Sequence, residues 1–283
     1  MKVIVFFCPG NEDSTPKEIT RWPNQQDWQI RVFPNKYPVI DNKNQKHTRG
    51  ENSKFINRKK IKGVHEIIVE SREHNAQMSD LGLHYLKQVL VIYFERLKKL
   101  KQQDSIKYVA IFKNHGERAG ASLKHTHTQI VAYSKIPAVI QAKEQVCKQR
   151  SCGYCEIIKY EKKHQKRVGF ENQNFIAITP FAAKYAYEIW ILPKKHLVDF
   201  AQFNQEMLID LAAIMHKIFK KITQLNCDYN MIFQYGVKDL HVQIIFTPRI
   251  DNFAGFEIAT GTIINSVFPE EAAYFYAKDN ISF

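Results

Sequence analysis

The sequence has little of what marks fibrous, disulfide-rich or membrane-embedded proteins. It contains 11 glycines and 10 prolines among 283 residues, too few for a collagen-like or low-complexity chain. No apolar run approaches the ~20 residues that a helix needs to cross a bilayer, and the apolar residues 3–7 are too few for a secretory signal. The five cysteines are odd in number, which does not suit a disulfide framework. We therefore expect a globular, cytoplasmic protein without membrane segments.

Acidic residues are scarce relative to basic ones. The chain has 41 Lys and Arg against 28 Asp and Glu, a formal net charge of +13. This surplus favours anionic partners, among them nucleic acids, nucleotides and sugar phosphates. It is divided among short runs, which are typical of solvated surfaces rather than of a nucleic-acid groove: residues 58–62, 98–101, 162–167 and 220–221. Nucleic acid is therefore the less favoured of these partners.

Hydrophobic periodicity divides the chain into two halves with a similar order of elements. The first half is predicted to contain strands at residues 31–40, 65–70, 108–112 and 129–133, a helix at 79–101 and a polar, mobile loop at 41–60. The second half is predicted to contain strands at residues 174–179, 188–192, 229–234 and 242–246 and a helix at 204–223.

Similar segments at nearly constant separations indicate an internal duplication. The matching pairs are residues 65–67 with 187–189, His74 with His196, residues 108–112 with 229–233, and His125 with His241. We predict an α+β fold of two tandem units, residues 1–140 and 141–283, with a seam near residues 136–150. Each unit is expected to be an antiparallel sheet with a helix packed on one face, and the two sheets can join into one.

The strongest motif is GASLKHTHTQ at residues 120–129. Because side chains alternate along a strand, His125, His127 and Gln129 are predicted to share one face. Three polar groups on a buried face are costly unless they bind something. A solvent-facing edge strand is the alternative interpretation.

This motif resembles the active site of galactose-1-phosphate uridylyltransferases, the nucleotidyltransferase branch of the histidine-triad superfamily. Further blocks of the chain are similar to that family in the same order and span nearly its whole length: CPGNEDSTPKEI, RVFPNKYPVI, GVHEIIVESREH, PFAAKYAYEIWILPKKH and GFEIATGTIINSVFPEEAA. The resemblance implies two histidine-triad-like halves, of which the first carries the nucleophile and the second the sugar side of the cleft.

The resemblance also implies a double-displacement transfer of a nucleotidyl group. His127 matches the nucleophile, which attacks the α-phosphorus of a nucleotide sugar, releases a sugar 1-phosphate and passes the nucleotide to a second sugar 1-phosphate. Neutral imidazole suits this role near pH 7, and Gln129 matches the donor to a non-bridging phosphoryl oxygen. Other matches are Ser122 with a phosphate contact, Asn35, Lys36 and Asn114 with nucleotide contacts, and Phe256 and Glu257 with hexose contacts. Asn35 and Asn114 are also residue types common in turns.

Members of the family often bind zinc through a Cys-x-x-Cys pair and two histidines. In the second half the matching residues are Cys152, Cys155, His196 and His241, the donor set that tetrahedral zinc prefers. Cys-x-x-Cys also occurs in redox sites, but no thioredoxin-like context surrounds this one. In the first half the matching residues are Cys8, His74 and His125, while Val5 stands where the fourth ligand belongs. We therefore expect one structural zinc ion, in the second half, and a degenerate first site.

Three functions are compatible with these residues. The first is UDP-glucose–hexose-1-phosphate uridylyl transfer in galactose metabolism, with a nucleotide sugar and a sugar 1-phosphate as substrates. The second is a phosphorylase that transfers AMP from ADP-glucose to inorganic phosphate. Asp251, where the family has a lysine, and the short segment 234–241 weaken the case for galactose. The third is a non-catalytic nucleotide- or RNA-binding relative. A homodimer is compatible with the sequence.

Overall fold

The computed structural model describes residues 6–42, 61–149 and 152–278. Its strands are Thr20–Trp22 (β1), Ile30–Pro34 (β2), Gly63–Val69 (β3), Tyr108–His115 (β4), His127–Tyr133 (β5), Val168–Glu171 (β6), Phe175–Ile178 (β7), Ile189–Pro193 (β8), Tyr229–Gln234 (β9) and Gln243–Pro248 (β10). They form a ten-stranded antiparallel sheet in the order β1-β2-β3-β5-β4-β9-β10-β8-β7-β6.

Six α-helices accompany this sheet in the described ranges. They are Leu83–Lys101 (α1), Ala138–Gln149 (α2), Gly153–His164 (α3), Gln205–Gln224 (α4), Gly255–Thr260 (α5) and Pro269–Ala277 (α6). Short 3-10 turns lie at Glu12–Ser14, Met78–Asp80, Glu117–Ala119 and Phe200–Gln202. Among the described residues, none of the helices combines the length and the hydropathy that a bilayer crossing requires.

The two long helices, α1 and α4, pack side by side on one face of the sheet. Their buried apolar side chains recur every three or four residues, so each helix presents one apolar stripe to the strands. Asn204 caps α4, because its side-chain oxygen accepts a hydrogen bond from the Met207 N–H at 2.9 Å. One large core lies between these helices and the sheet, and it runs through both halves.

The strand order is symmetric about its centre, where β4 of the first half pairs with β9 of the second. The predicted α+β duplication with a joined sheet is therefore what the chain adopts. The match between the halves slips by one residue in two strands, however. In the first half, Ile67 pairs with Gln129. The sequence match equates Ile67 with Ile189 and Gln129 with Ile245. In the structure, however, Ile245 pairs with Trp190 and not with Ile189. A slip of one residue turns a side chain to the other face of a sheet.

The same slip affects the pair Tyr108 and Tyr229, which the sequence match equates. Both tyrosines are buried, but Tyr229 packs against Phe219 of α4, while Tyr108 stacks on Tyr235 and shares its strand face with Phe112, the partner of Gln129. The similarity of these two segments is real, but their aligned tyrosines do not occupy equivalent positions.

Several predicted elements differ in extent. The strand expected at residues 31–40 ends at Pro34, and residues 35–42 continue as turns. The helix expected from residue 79 begins at Leu83, after the turn Met78–Asp80. The loop expected at residues 41–60 lies almost wholly outside the described residues. The helices α2, α3, α5 and α6 were not predicted, and α2 occupies the seam.

Candidate active site and metal-binding clusters

A cavity of about 220 Å³ lies on the sheet face opposite α1 and α4, in the first half. Five of the predicted site residues line it together: Asn35, Lys36, Ser122, His127 and Gln129. The remaining lining is largely apolar and includes Phe6, Phe7, Phe33, Tyr37, Ile67 and Leu123. An apolar wall with a few convergent polar groups is typical of a small-molecule site.

His127 begins β5 and is 6% exposed. Its Nδ1 lies 2.8 Å from the main-chain oxygen of His125, so Nδ1 carries the hydrogen and donates it. The lone pair of Nε2 is then free for chemistry. Burial, and secondarily the positive charge of Lys113, lowers the pKa of His127, which keeps the ring neutral and nucleophilic. The Phe7 ring packs edge-on against this imidazole, with centroids 5.4 Å apart.

Gln129 lies two residues further along the same face, and its partner is a residue that sequence reasoning missed. The Gln129 Oε1 atom lies 2.9 Å from Nε2 of His65 on β3. The main-chain N–H of Val39 donates to the other ring nitrogen of His65 at 3.2 Å. Nε2 of His65 therefore carries the hydrogen and donates it to Gln129. The only signal in the sequence was that His65 shares its strand face with Ile67.

The alternate residues of the motif, Thr126 and Thr128, turn to the opposite face. Both hydroxyls donate to the carboxylate of Glu70, at 2.8 and 2.6 Å. Lys113 pairs with the same carboxylate and donates to the main-chain oxygen of His127 at 2.9 Å. Tyr93 of α1 donates to Glu70 as well. This buried network, which the sequence did not reveal, fixes the backbone of the strand that presents His127.

The ionisation of this network follows from its contacts. Burial alone would raise the pKa of Glu70, but the Lys113 ammonium and hydrogen bonds from Lys113, Thr128 and Tyr93 hold it below the ordinary value. The side chains of Lys113 and Glu70 are 1% and 0% exposed. An ion pair so deeply buried contributes little net stability, yet removing one partner is strongly destabilising.

Asn114 does not line this cavity. It lies at the central seam, where the Asn230 amide donates to the Asn114 Oδ1 at 2.9 Å and Arg249 donates to Asn230 at 2.6 Å. The second half thus fixes the amide of Asn114, and the two asparagines face a separate cavity of about 350 Å³ between the halves. Its nucleotide contact stays a prediction.

Phe256 and Glu257, the predicted hexose contacts, lie on α5, and the structure does not bring them to the His127 cavity within one chain. Phe256 is 53% exposed. The Glu257 carboxylate accepts the Ala254 N–H at 2.9 Å and thereby caps α5. Their proposed role in sugar binding stays a prediction.

The four predicted ligands of the second half form one cluster. The ligand atoms of Cys152, Cys155, His196 and His241 all lie within 4.8 Å of one another. The Cys155 sulfur is 3.3 Å from His196 Nδ1 and 3.6 Å from His241 Nδ1. Burial lowers the pKa of His241 to about 4, so its ring is neutral, as a ligand must be. Two thiols and two imidazoles at this spacing fit a tetrahedral metal ion.

A three-membered cluster occupies the matching place in the first half. The Cys8 sulfur lies 3.7 Å from His74 Nδ1 and 3.6 Å from His125 Nδ1. Val5, at the position of the absent ligand, lies outside the described residues. Nε2 of His125 donates to the Ser71 carbonyl at 2.7 Å, and Nε2 of His241 donates to Pro193 at 2.9 Å. The two clusters therefore orient their buried histidines in the same way.

Comparison with known proteins bears on both halves of the chain. A family model described as the N-terminal domain of galactose-1-phosphate uridyl transferase matches residues 3–137. A second model, for the C-terminal domain of the same family, matches residues 108–241. Together the two models extend over most of the chain.

Individual relatives are similar over nearly the whole chain. An ADP-glucose phosphorylase of Arabidopsis thaliana is 34% identical over 282 residues, which cover 94% of this chain and 79% of that protein. A galactose-1-phosphate uridylyltransferase of Thermotoga maritima is 28% identical and covers 88% of this chain and 84% of its own length. A crystal structure of an ADP-glucose phosphorylase from Arabidopsis thaliana with bound ADP-glucose superposes with a TM-score of 0.84 and 29% identity, covering 99% of this chain and 92% of that one.

Proposed function

This chain belongs to the galactose-1-phosphate uridylyltransferase family of nucleotidyl-transferring enzymes, and from that premise we propose that it transfers a nucleotidyl group from a nucleotide sugar by way of His127. The observation that carries the proposal is the position of this imidazole. It is neutral, its Nδ1 is bound to a carbonyl, and it lines a cavity beside an oriented carboxamide.

In the first step, Nε2 of His127 attacks the α-phosphorus of the nucleotide sugar. A nitrogen–phosphorus bond forms, the bond from the α-phosphorus to the bridging oxygen breaks, and a sugar 1-phosphate leaves with the electron pair. In the second step, an acceptor phosphate oxygen attacks the same phosphorus and Nε2 is released. Nδ1 keeps its hydrogen throughout and donates it to the His125 carbonyl oxygen, and this hydrogen bond stabilises the cationic ring of the intermediate.

Two neighbouring groups serve the phosphoryl oxygens. The carbonyl end of Gln129 is taken by His65, so its amide nitrogen is the end that can donate to a non-bridging oxygen. Ser122 lies at the same cavity with an exposed hydroxyl that suits a second phosphate contact. Lys36, also at the rim, supplies positive charge for a polyphosphate.

For the substrates we propose ADP-glucose as donor and inorganic phosphate as acceptor. The support is the higher identity, and the larger share of this chain covered, in the match to the plant ADP-glucose phosphorylase. The second candidate is UDP-glucose with a hexose 1-phosphate, which the bacterial uridylyltransferase supports. In either case the first unit, residues 1–140, would carry the nucleophile.

The proposed metal is a structural zinc ion in the second unit, residues 141–283, held by Cys152, Cys155, His196 and His241. When bound, it would supply a crosslink between α3, the segment after β8 and the start of β10, with no part in the chemistry at His127. Because thiols must be reduced to bind zinc, we also propose a reducing, cytoplasmic location.

The test is to trap the covalent intermediate. The protein is incubated separately with ADP-glucose and UDP-glucose labelled at the α-phosphorus, and the acid-labile adduct is quantified and located by peptide mass spectrometry. We expect an AMP adduct on His127 that phosphate discharges as ADP, and no adduct in His127→Ala. A UMP adduct discharged by galactose 1-phosphate would favour the second candidate. Unchanged turnover in His127→Ala would refute both.

A further inference from the structure

His65 is a buried histidine that makes no bond to the reacting phosphorus and lies outside the metal clusters. It lies on β3, is 3% exposed and faces the same side of the sheet as the cavity. It stands between the turn at residues 35–39 and Gln129 on the neighbouring strand. A buried polar ring needs hydrogen-bond partners, so the groups bound to His65 indicate its role.

The hydrogen bonds of His65 define which nitrogen carries the proton. The N–H of Val39 can only donate, so Nδ1 of His65 must accept. The side-chain amide nitrogen of Asn35, which is also a donor, lies 3.3 Å from each of the two ring nitrogens. The ring is thus a neutral imidazole with its hydrogen on Nε2, directed at Gln129 2.9 Å away. Burial, which lowers the pKa of His65, favours the same neutral form.

This tautomer has a consequence for the carboxamide of Gln129. A glutamine amide can adopt two orientations that differ in shape very little but exchange a donor for an acceptor. With Oε1 bound to His65, the NH₂ group is the end left free to donate at the cavity that Gln129 and His127 line together. In the reverse orientation two donors would meet at His65, and a carbonyl oxygen would face the phosphoryl oxygens and repel them.

We propose that His65 is a positioning residue, which fixes the carboxamide of Gln129 so that its NH₂ group meets the phosphoryl group attacked by His127. The proposal rests on the function given above. The Val39 N–H binds the Nδ1 edge of the ring and the Asn35 side chain lies against both ring nitrogens, while the Asn35 main-chain N–H donates to the His65 main-chain oxygen at 2.7 Å. The ring therefore connects the turn proposed to hold the nucleotide with the amide that serves its phosphate.

The test measures the single-turnover rate of adduct formation in His65→Phe, which keeps a flat ring but cannot donate. We expect the rate to fall about 10- to 100-fold, because a misoriented donor loses most of its transition-state contact. His65→Gln should stay within about threefold of the parent, since the Gln Nε2 can occupy the place of the ring Nε2. His65→Asn, one methylene shorter, should behave like the phenylalanine variant.

A double-mutant cycle separates positioning from a merely structural role. In the Gln129→Ala background, His65→Phe should change the rate less than about twofold, because the group it orients is gone. His216→Ala, on α4 at the other face of the sheet, serves as the control and should leave the rate unchanged. Melting temperatures establish that each variant is folded, and the Gln and Asn pair replaces the phenylalanine variant if it does not fold.

The outcomes are distinct. If the unmodified protein forms no adduct on His127, the proposed function fails, and the role of His65 fails with it. If the adduct forms but His65→Phe is as fast as the parent, or is equally slowed with and without Gln129, only the positioning role is overturned.

Discussion

In the first half, the sheet face that carries His127 opens into a cavity, whereas in the second half the same face is covered by α3. Gln243 stands in the place of His127, and its amide donates to the Tyr154 hydroxyl of α3 at 3.1 Å and to Gln234 at 2.9 Å. An apolar cluster of Ile158, Ile176, Ile178 and Leu192 fills the space around it. The first unit has a cavity at this position, and in the second unit α3 occupies the equivalent space.

The sheet faces that pack against α1 and α4 also differ between the halves, because that of the first half carries polar groups and that of the second half is apolar. Thr126, Thr128 and Lys113 of the first half form the polar network on Glu70. Their counterparts in the second half are Val242, Ile244 and Phe233, all buried in the apolar core. Buried ionic groups cost desolvation energy that apolar residues do not. The half that holds His127, the proposed nucleophile, therefore has polar groups on both sides of its strand, where they fix the backbone, while the matching positions beneath the helices in the other half are apolar.

The largest expected effect comes from moving the histidine between the halves. His127→Gln, which gives the first half the residue of the second, should lower adduct formation at least about a thousandfold because the nucleophile is lost. Gln243→His in the same chain should restore nothing, since α3 covers that position. Adduct mass spectrometry on the single and double variants measures this, and an adduct on residue 243 would break the comparison.

Breaking the buried ion pair should be the next largest effect. Lys113→Met leaves the Glu70 carboxylate buried without its cation and should lower the free energy of unfolding by about 3–5 kcal/mol. The matched change in the second half, Phe233→Leu, should cost only about 1 kcal/mol. Urea denaturation of both variants provides the values. Equal losses would show that the two faces do not differ as described.

Metal binding should separate the two clusters. Cys155→Ser should abolish stoichiometric zinc and lower the melting temperature by several degrees, because a bound structural metal stabilises the folded state. Cys8→Ser should lower the melting temperature less, because we expect it to cost about 1 kcal/mol of stability or below. Elemental analysis gives the metal content and calorimetry the melting temperature. Two equivalents of zinc in the parent protein would mean that the first cluster is also a metal site.

The smallest expected difference is in how stability depends on pH. The pKa of Glu70 is lowered in the folded protein, so its ionised form contributes stability that is present above the unfolded-state pKa, ~4.3 for Glu. That contribution is lost as the pH falls through the lower folded-state value. Glu70→Gln should be less stable at pH 7 and should lose less stability between pH 5 and pH 3. Unfolding free energies across this range test the prediction, and parallel curves would contradict it.

The sequence sufficed for the family, the α+β class and the joined duplication, because motif spacing and strand alternation are local signals. The site residues His127, Gln129, Ser122, Asn35 and Lys36, which line one cavity, were predicted from the resemblance of their motifs to the family. The local signals could not reveal His65 or the network on Glu70, since these contacts depend on how β3 registers against β5. The sequence match of Tyr108 with Tyr229 was misleading for the same reason: identity of residue type does not define which face of a strand a side chain occupies.

The pairing of β4 with β9 has a consequence for the history of the chain. Cutting between the two copies would leave each fragment with a bare sheet edge and would remove from α1 the helix against which it rests. Neither copy could then be deleted, exchanged or multiplied as repeats in a solenoid can. Because the two copies share one ladder of hydrogen bonds at the centre of the sheet, they are not independent modules, although a tandem duplication starts from two separate copies.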